Sequence, residues 1–205
     1  MNTHYSSSSF ERLLDPDPLE QFRAWFAEAR DAVAQADAVA LATATPDGRP
    51  SVRMVLLKRV DEDGFGFHTN LESRKGMELA TNPRAALLFH WQPLGRQVRI
   101  EGAVRAAPVP ESEEYFRTRP LESRLAAWAS PQSRPLADRA ALERLYVEAA
   151  ARFPGEDVPL PPHWGGFRLV PDAYEFWQHG EHRLHDRVRY ELMEDGGWRR
   201  KRLAP

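Results

Sequence analysis

Apolar residues recur at helical spacing over 18–34, where Leu19, Phe22, Phe26, Ala29 and Val33 fall on one face of a predicted helix. Beyond it the pattern changes to short apolar runs separated by turn residues. Strands are predicted over 38–45 and 51–60, because Pro46-Asp47-Gly48 between two such runs is a strong hairpin signal. A turn at 61–64 leads into a strand at 65–69. The segment 72–81 reads as a helix stopped by Asn82-Pro83, and strands at 84–91 and 97–106 flank a turn at Leu94-Gly95. Helical patterns follow at 111–118, 121–129 and 136–153, interrupted by Pro120, Pro131 and Pro135, since proline lacks the helical donor and clashes with the preceding turn. A Pro-rich connector occupies 154–162. Strands resume at 166–170, 174–178, 187–193 and 198–203, the last pair joined by Asp195-Gly196-Gly197. Residues 1–17 are polar, with a serine run at 6–9, and read as a mobile tail ahead of a single domain at 18–205.

The strands are short and mostly joined by tight turns, whereas parallel strands need crossovers of about a dozen residues. The expected fold is therefore mainly β with helices (α+β). Its antiparallel sheet would be closed or half closed into a barrel, with helices packed outside. Composition narrows the function. The 205 residues suffice for a sizeable core, and the formal net charge of −2 gives no global attraction to nucleic acid or membrane. Any anion site must be built from locally placed Arg and Lys. The absence of cysteine excludes disulfides, thiolate catalysis and thiolate metal sites. No apolar run approaches the roughly 20 residues of a membrane span, and the start lacks the basic and apolar regions of a signal peptide. A soluble, cytoplasmic protein is expected.

Four groups of cations stand out against this slightly acidic background. If 183–187 is extended, Arg183, His185 and Arg187 share one face, and such a cluster either awaits an anion or forms a solvated edge. Arg74 and Lys75 open the helix predicted at 72, where free N–H groups and the helix dipole favour phosphate; Ser73 is alternatively a plain helix cap. Arg53 and Lys58 lie in an apolar strand and need partners, yet five residues of regular strand would point them to opposite faces. A common site would require a bulge or a cavity wrapping the strand end. Tyr115, Arg119 and Ser123 are spaced by four and would suit a phosphate, although Pro120 interrupts the stripe. His182 and His185 are three apart, but the adjacent Arg charges oppose a metal cation, so no metal is expected. Neither a Gly-x-Gly-x-x-Gly dinucleotide motif nor a Gly-x-Ser-x-Gly elbow is present. Dispersed cationic groups of this kind suggest two phosphorylated ligands rather than one polyanion.

Several stretches together carry a resemblance over nearly the whole chain, from about Asp15 to Pro205. They are RMVLLK from Arg53 to Lys58, FHTNLESRK from Phe67 to Lys75, Gln132-Ser133, EFWQ from Glu175 to Gln178, RLHDR from Arg183 to Arg187, and the ending RLAP from Arg202. The chain resembles the pyridoxamine 5′-phosphate oxidase family. That resemblance implies a split β-barrel homodimer with FMN at the subunit interface, oxidising pyridoxamine or pyridoxine 5′-phosphate with dioxygen. It implies FMN binding by Arg53, Met54, Val55, Leu56, Leu57 and Lys58, by His68 and Thr69, by Arg74 and Lys75, and by Gln97, Gln132, Ser133, Trp177 and Arg187. His68 stands where the family often has Tyr. Lys58, Tyr115, Arg119 and Ser123 are implied to grip the substrate phosphate, with Arg183 and His185 over the substrate ring as the catalytic pair. On this resemblance Arg53 and Lys58 serve different ligands. Residues 1–14 have no counterpart of the basic, Tyr-bearing segment with which some bacterial members cover the substrate. A phenazine-pathway branch of the family acts on another ring substrate; the complete phosphate-gripping set favours the vitamin B6 branch. A non-catalytic flavin-binding barrel is the alternative from outside enzymology.

Overall fold

The structure, a computed structural model, describes residues 7–155 and 157–205. A short helix, α1 (Ser7–Leu13), precedes α2 (Pro18–Ala32). Asp17 caps α2 by accepting from the Leu19 amide at 2.8 Å, and Pro18 fits the first turn, where its missing N–H has no partner to lose. The apolar face of α2 fills the concave side of the sheet. Phe22 is fully buried against Phe65, Phe89 and Trp91, and Trp25 meets Phe176 edge-on at 5.3 Å. Truncating one such aromatic costs about 3–5 kcal/mol, so this helix is integral to the fold.

The sheet comprises β1 (Ala38–Ala44), β2 (Pro50–Leu56), β3 (Arg59–Asp61), β4 (Gly64–Asn70), β5 (Arg84–Trp91), β6 (Arg96–Ala106), β7 (Trp164–Gln178), β8 (Asp186–Leu192) and β9 (Trp198–Arg202). Every pairing is antiparallel, in the order β2-β1-β5-β6-β7-β4-β3, with β8 and β9 branching from β7. Strand β7 makes this possible. One edge runs along β6, while the other pairs with β4 over its first half and with β8 over its second. The sheet thus curls into a split half-barrel, the expected α+β class. Helix α3 (Arg74–Thr81) lies between β4 and β5. The helices α4 (Val109–Thr118), α5 (Leu121–Ala129) and α6 (Arg139–Arg152) enclose a second, smaller core of Phe116, Leu125, Val158 and Trp164.

The structure corrects several readings of the sequence. The strand expected over 51–60 is two strands, broken at Leu57-Lys58. The strands expected at 166–170 and 174–178 are one: Pro171 pairs opposite Gly102 beside a bulge in β7, where Asp172 is the extra residue and a missing amide donor is tolerated. The helix expected from 136 begins at Arg139, capped by Asp138, which accepts from the Ala141 amide at 2.6 Å. Residues 10–17, expected to belong to a polar tail, lie against the barrel. Leu14 is buried, and the Asp15 carbonyl accepts from the Tyr190 hydroxyl at 2.7 Å. Residues 1–6 of that segment lie outside the described residues.

Candidate active site

The break after β2 creates the site. The Leu57 amide bonds to the Asp37 carbonyl and the Lys58 amide to that of Gly66, both at 2.8 Å, so the chain leaves β1 and crosses to β4. Leu57 turns into the core, away from the site that the resemblance implied for it. Arg53 and Lys58, which a regular strand would oppose, line one cavity of about 760 Å³. Met54, Val55 and Leu56 line it from β2, His68 and Thr69 from β4, and Arg74 and Lys75 from α3. Tyr115, Arg119 and Ser123 reach it from α4 and α5 despite Pro120, and Gln132 and Ser133 from the loop beyond. Arg168, 4% exposed, bridges Asp61 and Glu111 at 2.7 Å each and so anchors α4 to the sheet.

Two cationic groups face this cavity. The first surrounds the start of α3. Ser73 caps the helix, its hydroxyl accepting from the Gly76 amide at 3.4 Å, while any side chain at Gly76 would collide with the Leu71 carbonyl. Lys75 is buried and donates to Thr69 Oγ1 at 2.9 Å and Gln132 Oε1 at 2.7 Å, tying β4 and the 130–138 loop to the helix. Burial, with Arg53 adding repulsion, pushes its ammonium down to about 8. Arg53 Nη1 donates to the Leu41 carbonyl at 3.1 Å and to Thr43 at 2.6 Å. Glu78, one turn beyond Arg74, accepts from Ser51 at 2.6 Å, Thr43 at 2.5 Å and Arg74 Nε at 2.8 Å. Burial alone would raise its pKa, but these donors bring it down to about 2.

The second group sits among aromatic rings. His68 clusters with Tyr115, at 4.5 Å between centroids, and Trp164, at 5.1 Å, the latter two being 6.1 Å apart. Among the described residues neither of its buried ring nitrogens finds a hydrogen-bond partner. Burial lowers its pKa to about 4; Glu111 opposes the shift, while Arg119, Lys58 and Arg168 add to it. The Arg119 guanidinium lies over Trp164 at 5.0 Å, with Nη1 buried and unpartnered among the described residues. Lys58 is paired with Asp37 at 3.0 Å. A buried donor without an acceptor is costly unless a ligand supplies one.

The remaining implied residues do not line this cavity. Gln97, Trp177 and Arg187 form a row across β6, β7 and β8, Trp177 being the register partner of both others. Arg187 is held by Glu175 at 2.9 Å and by the Ala204 carbonyl at 2.8 Å. His185 packs on Trp177 at 4.6 Å. The expectation that Arg183, His185 and Arg187 alternate along an extended strand fails. Residues Glu181–Arg183 form a single tight helical turn, His182 and Arg183 have φ of 55° and 65°, and β8 begins only at Asp186. Gly180 permits this turn, since a side chain there would meet the Leu184 carbonyl. Two consecutive non-glycine residues in the left-handed region cost on the order of 1–2 kcal/mol each, strain that clusters at functional loops. Sequence reasoning missed Trp164 and Glu78. A lone Trp after a Pro-rich connector carries no signal. The Arg74/Glu78 spacing of four is visible, but ordinarily marks a solvated helix pair.

Comparison with known proteins bears on this site. A family model described as pyridoxamine 5′-phosphate oxidase matches residues 26–152. Another, described as the pyridoxine 5′-phosphate oxidase C-terminal dimerisation region, matches residues 164–205. The chain is 52% identical over 207 residues to the pyridoxine/pyridoxamine 5′-phosphate oxidase of Janthinobacterium sp. (strain Marseille), covering 100% of this chain and 98% of the relative. It is 54% identical to pyridoxine/pyridoxamine 5′-phosphate oxidase 1 of Ralstonia nicotianae, covering 100% and 97%. Among solved structures it is similar to PhzG from Burkholderia lata 383 in complex with tetrahydrophenazine-1-carboxylic acid, with a TM-score of 0.88, 33% identity and coverage of 100% and 99%.

Proposed function

The chain belongs to the pyridoxamine 5′-phosphate oxidase family, and on that premise we propose that it oxidises pyridoxine and pyridoxamine 5′-phosphate to pyridoxal 5′-phosphate, using FMN as cofactor and dioxygen as electron acceptor. The observation that carries this reading is the division of one cavity's cations into two groups, one beside α3 and one among the rings of His68, Tyr115 and Trp164. Two phosphorylated molecules with facing rings require that division. The residues fit FMN: Arg53, Arg74 and Lys75 offer a cationic seat, with Gln132 and Ser133 beside it. Burial and Arg53 disfavour the charged form of Lys75, and a phosphate placed beside it would favour that form.

FMN, when bound, supplies the two-electron acceptor that dioxygen regenerates with release of hydrogen peroxide. The protein supplies orientation. Lys58, Tyr115, Arg119 and Ser123 hold the substrate phosphate and thereby fix the C4′ carbon at the reacting position. Arg183 orients the substrate and assists removal of a proton; His185, braced by Trp177, holds a ring substituent. With the amine substrate, water releases ammonia from the oxidised product; the alcohol substrate gives the aldehyde directly.

Gln97, Trp177, Arg183, His185 and Arg187 reach a cavity in this reading only from a second copy of the chain. The match of residues 164–205 to a dimerisation region supports a homodimer. So does the edge strand β2, where Val52 and Met54 are 69% and 62% exposed. The likeness to PhzG favours a second reading, an oxidase for an unphosphorylated ring substrate. The test is flavin absorbance of the purified protein, followed by assay of peroxide and pyridoxal 5′-phosphate from pyridoxine phosphate and from unphosphorylated ring compounds. Turnover of the phosphorylated substrate is expected. Turnover of unphosphorylated compounds alone would move the assignment to the second reading, and bound flavin without oxygen-dependent turnover would leave a binding protein.

A further inference from the structure

Beyond the residues that would touch a ligand, and resting on the reading of the α3 pocket as the FMN phosphate seat, we propose that Glu78 is a positioning residue that aims Arg53 and Arg74 at that phosphate. Glu78 is 4% exposed and lies at the hub of the first cationic group. Its Oε2 accepts from Ser51, from Thr43 and, at 3.4 Å, from Arg53 Nη2, while Oε1 accepts from Arg74 Nε at 2.8 Å. The carboxylate joins β1, β2 and α3 behind Ser51, Arg53 and Arg74, which line the cavity. By engaging Nε of Arg74 it leaves the paired Nη groups for two oxygens of an anion, the fork geometry that guanidinium offers to phosphate. Arg53 is fixed more completely: the Leu41 carbonyl, Thr43, Ser51 and Glu78 all accept from its Nη atoms. Three cations and one anion leave a net charge of two positive, which matches a phosphate dianion.

Charge and geometry make opposite predictions when this carboxylate is removed. Were net charge decisive, Glu78→Gln would raise the local positive charge and tighten binding of an anion. Were positioning decisive, the same change would loosen two arginines and weaken binding. Positioning is the stronger effect here. Glu78 contacts both guanidiniums directly and none of the acceptors that hold Lys75, so its loss is felt first as freedom of Arg53 and Arg74, while Lys75 stays tied to Thr69 and Gln132.

The test compares full-length wild-type and Glu78→Gln protein, both freed of flavin, for binding of FMN and of riboflavin, which lacks the phosphate. Glu78→Gln is expected to weaken FMN by about tenfold or more, as loss of an orienting partner typically does, with riboflavin affinity changed by less than about threefold. Equal or tighter FMN binding by the variant would overturn the proposal. So would an equal fall for both flavins, which would make Glu78 a support of the fold only. If Glu78→Gln does not fold, Ser51→Ala, which deletes one donor to the carboxylate, is read by the same FMN-to-riboflavin split. Wild-type protein that binds neither flavin would instead refute the FMN reading itself.

Discussion

Replacing Arg119 with Met removes the one guanidinium whose environment is hardest to explain without a ligand. Its Nη1 is buried without a partner among the described residues, and its plane lies over Trp164 and Phe116 at 5.0 and 5.6 Å. Burial lowers its pKa, with Tyr115 opposing, yet an arginine remains charged at any physiological pH. Nη1 is therefore a donor that a substrate phosphate would satisfy. A hydrogen bond to a charged group contributes about 1.5–3 kcal/mol, so Arg119→Met should raise KM for pyridoxine 5′-phosphate about 10- to 150-fold. Lys58, Tyr115 and Ser123 still hold the phosphate and keep C4′ in place, so kcat should stay within about threefold. Met keeps the apolar stem over Trp164 while removing the unpartnered donor. The Tm of the flavin-free variant should therefore equal or exceed that of the wild type. Steady-state peroxide release and thermal unfolding of the same preparations provide both readings. An unchanged KM, above all with a lowered Tm, would show that Arg119 serves the fold and not the substrate.

Three further outcomes are expected. Lys75 has its pKa lowered to about 8, and a bound phosphate favours its charged form, so FMN affinity should fall as pH rises from about 7 through 8, above the phosphate's own second pKa of about 6; a flat profile above pH 8 would remove Lys75 from the phosphate seat. Arg183→Ala should lower kcat much more than it changes KM, and wild-type turnover in that variant would take Arg183 out of the reaction. Met54→Glu places a charge within the exposed apolar row of β2 and should give a monomer that loses flavin on dialysis. A flavin-replete dimer by light scattering would place the subunit contact elsewhere.

Much of the site was legible because its chemistry is local in sequence. Ser73, Arg74 and Lys75 announce a helix start suited to anions, and that is where α3 begins. Tyr115, Arg119 and Ser123 keep their spacing of four across Pro120, and all three reach the cavity. Illegible features depend on what another strand does. Nothing within the run from Val52 to Leu57 shows that pairing with β1 ends at Leu56; the Gly66 carbonyl, waiting for the Lys58 amide, decides it. Pro171 looks like a strand end until the bulge at Asp172, opposite Glu101 and Gly102, provides a register in which its missing donor is harmless. The alternation read over 183–187 fails because Gly180 allows a tight turn that period-two counting cannot see.

By itself, then, the amino-acid order determined the element types, the antiparallel class, the absence of thiol chemistry and the inventory of cations. Each of these follows from composition or from periods of 2 and 3.6 residues, which act over a few neighbours. Tertiary structure alone decided that Arg53 and Lys58 share a cavity, that Glu78 collects hydrogen bonds from two strands and a helix, and that Trp177, His185 and Arg187 stand apart from the cavity of their own chain. These outcomes depend on hydrogen bonds and burial between residues tens of positions apart. Their free energy exists only once the sheet has curled and brought those groups within reach.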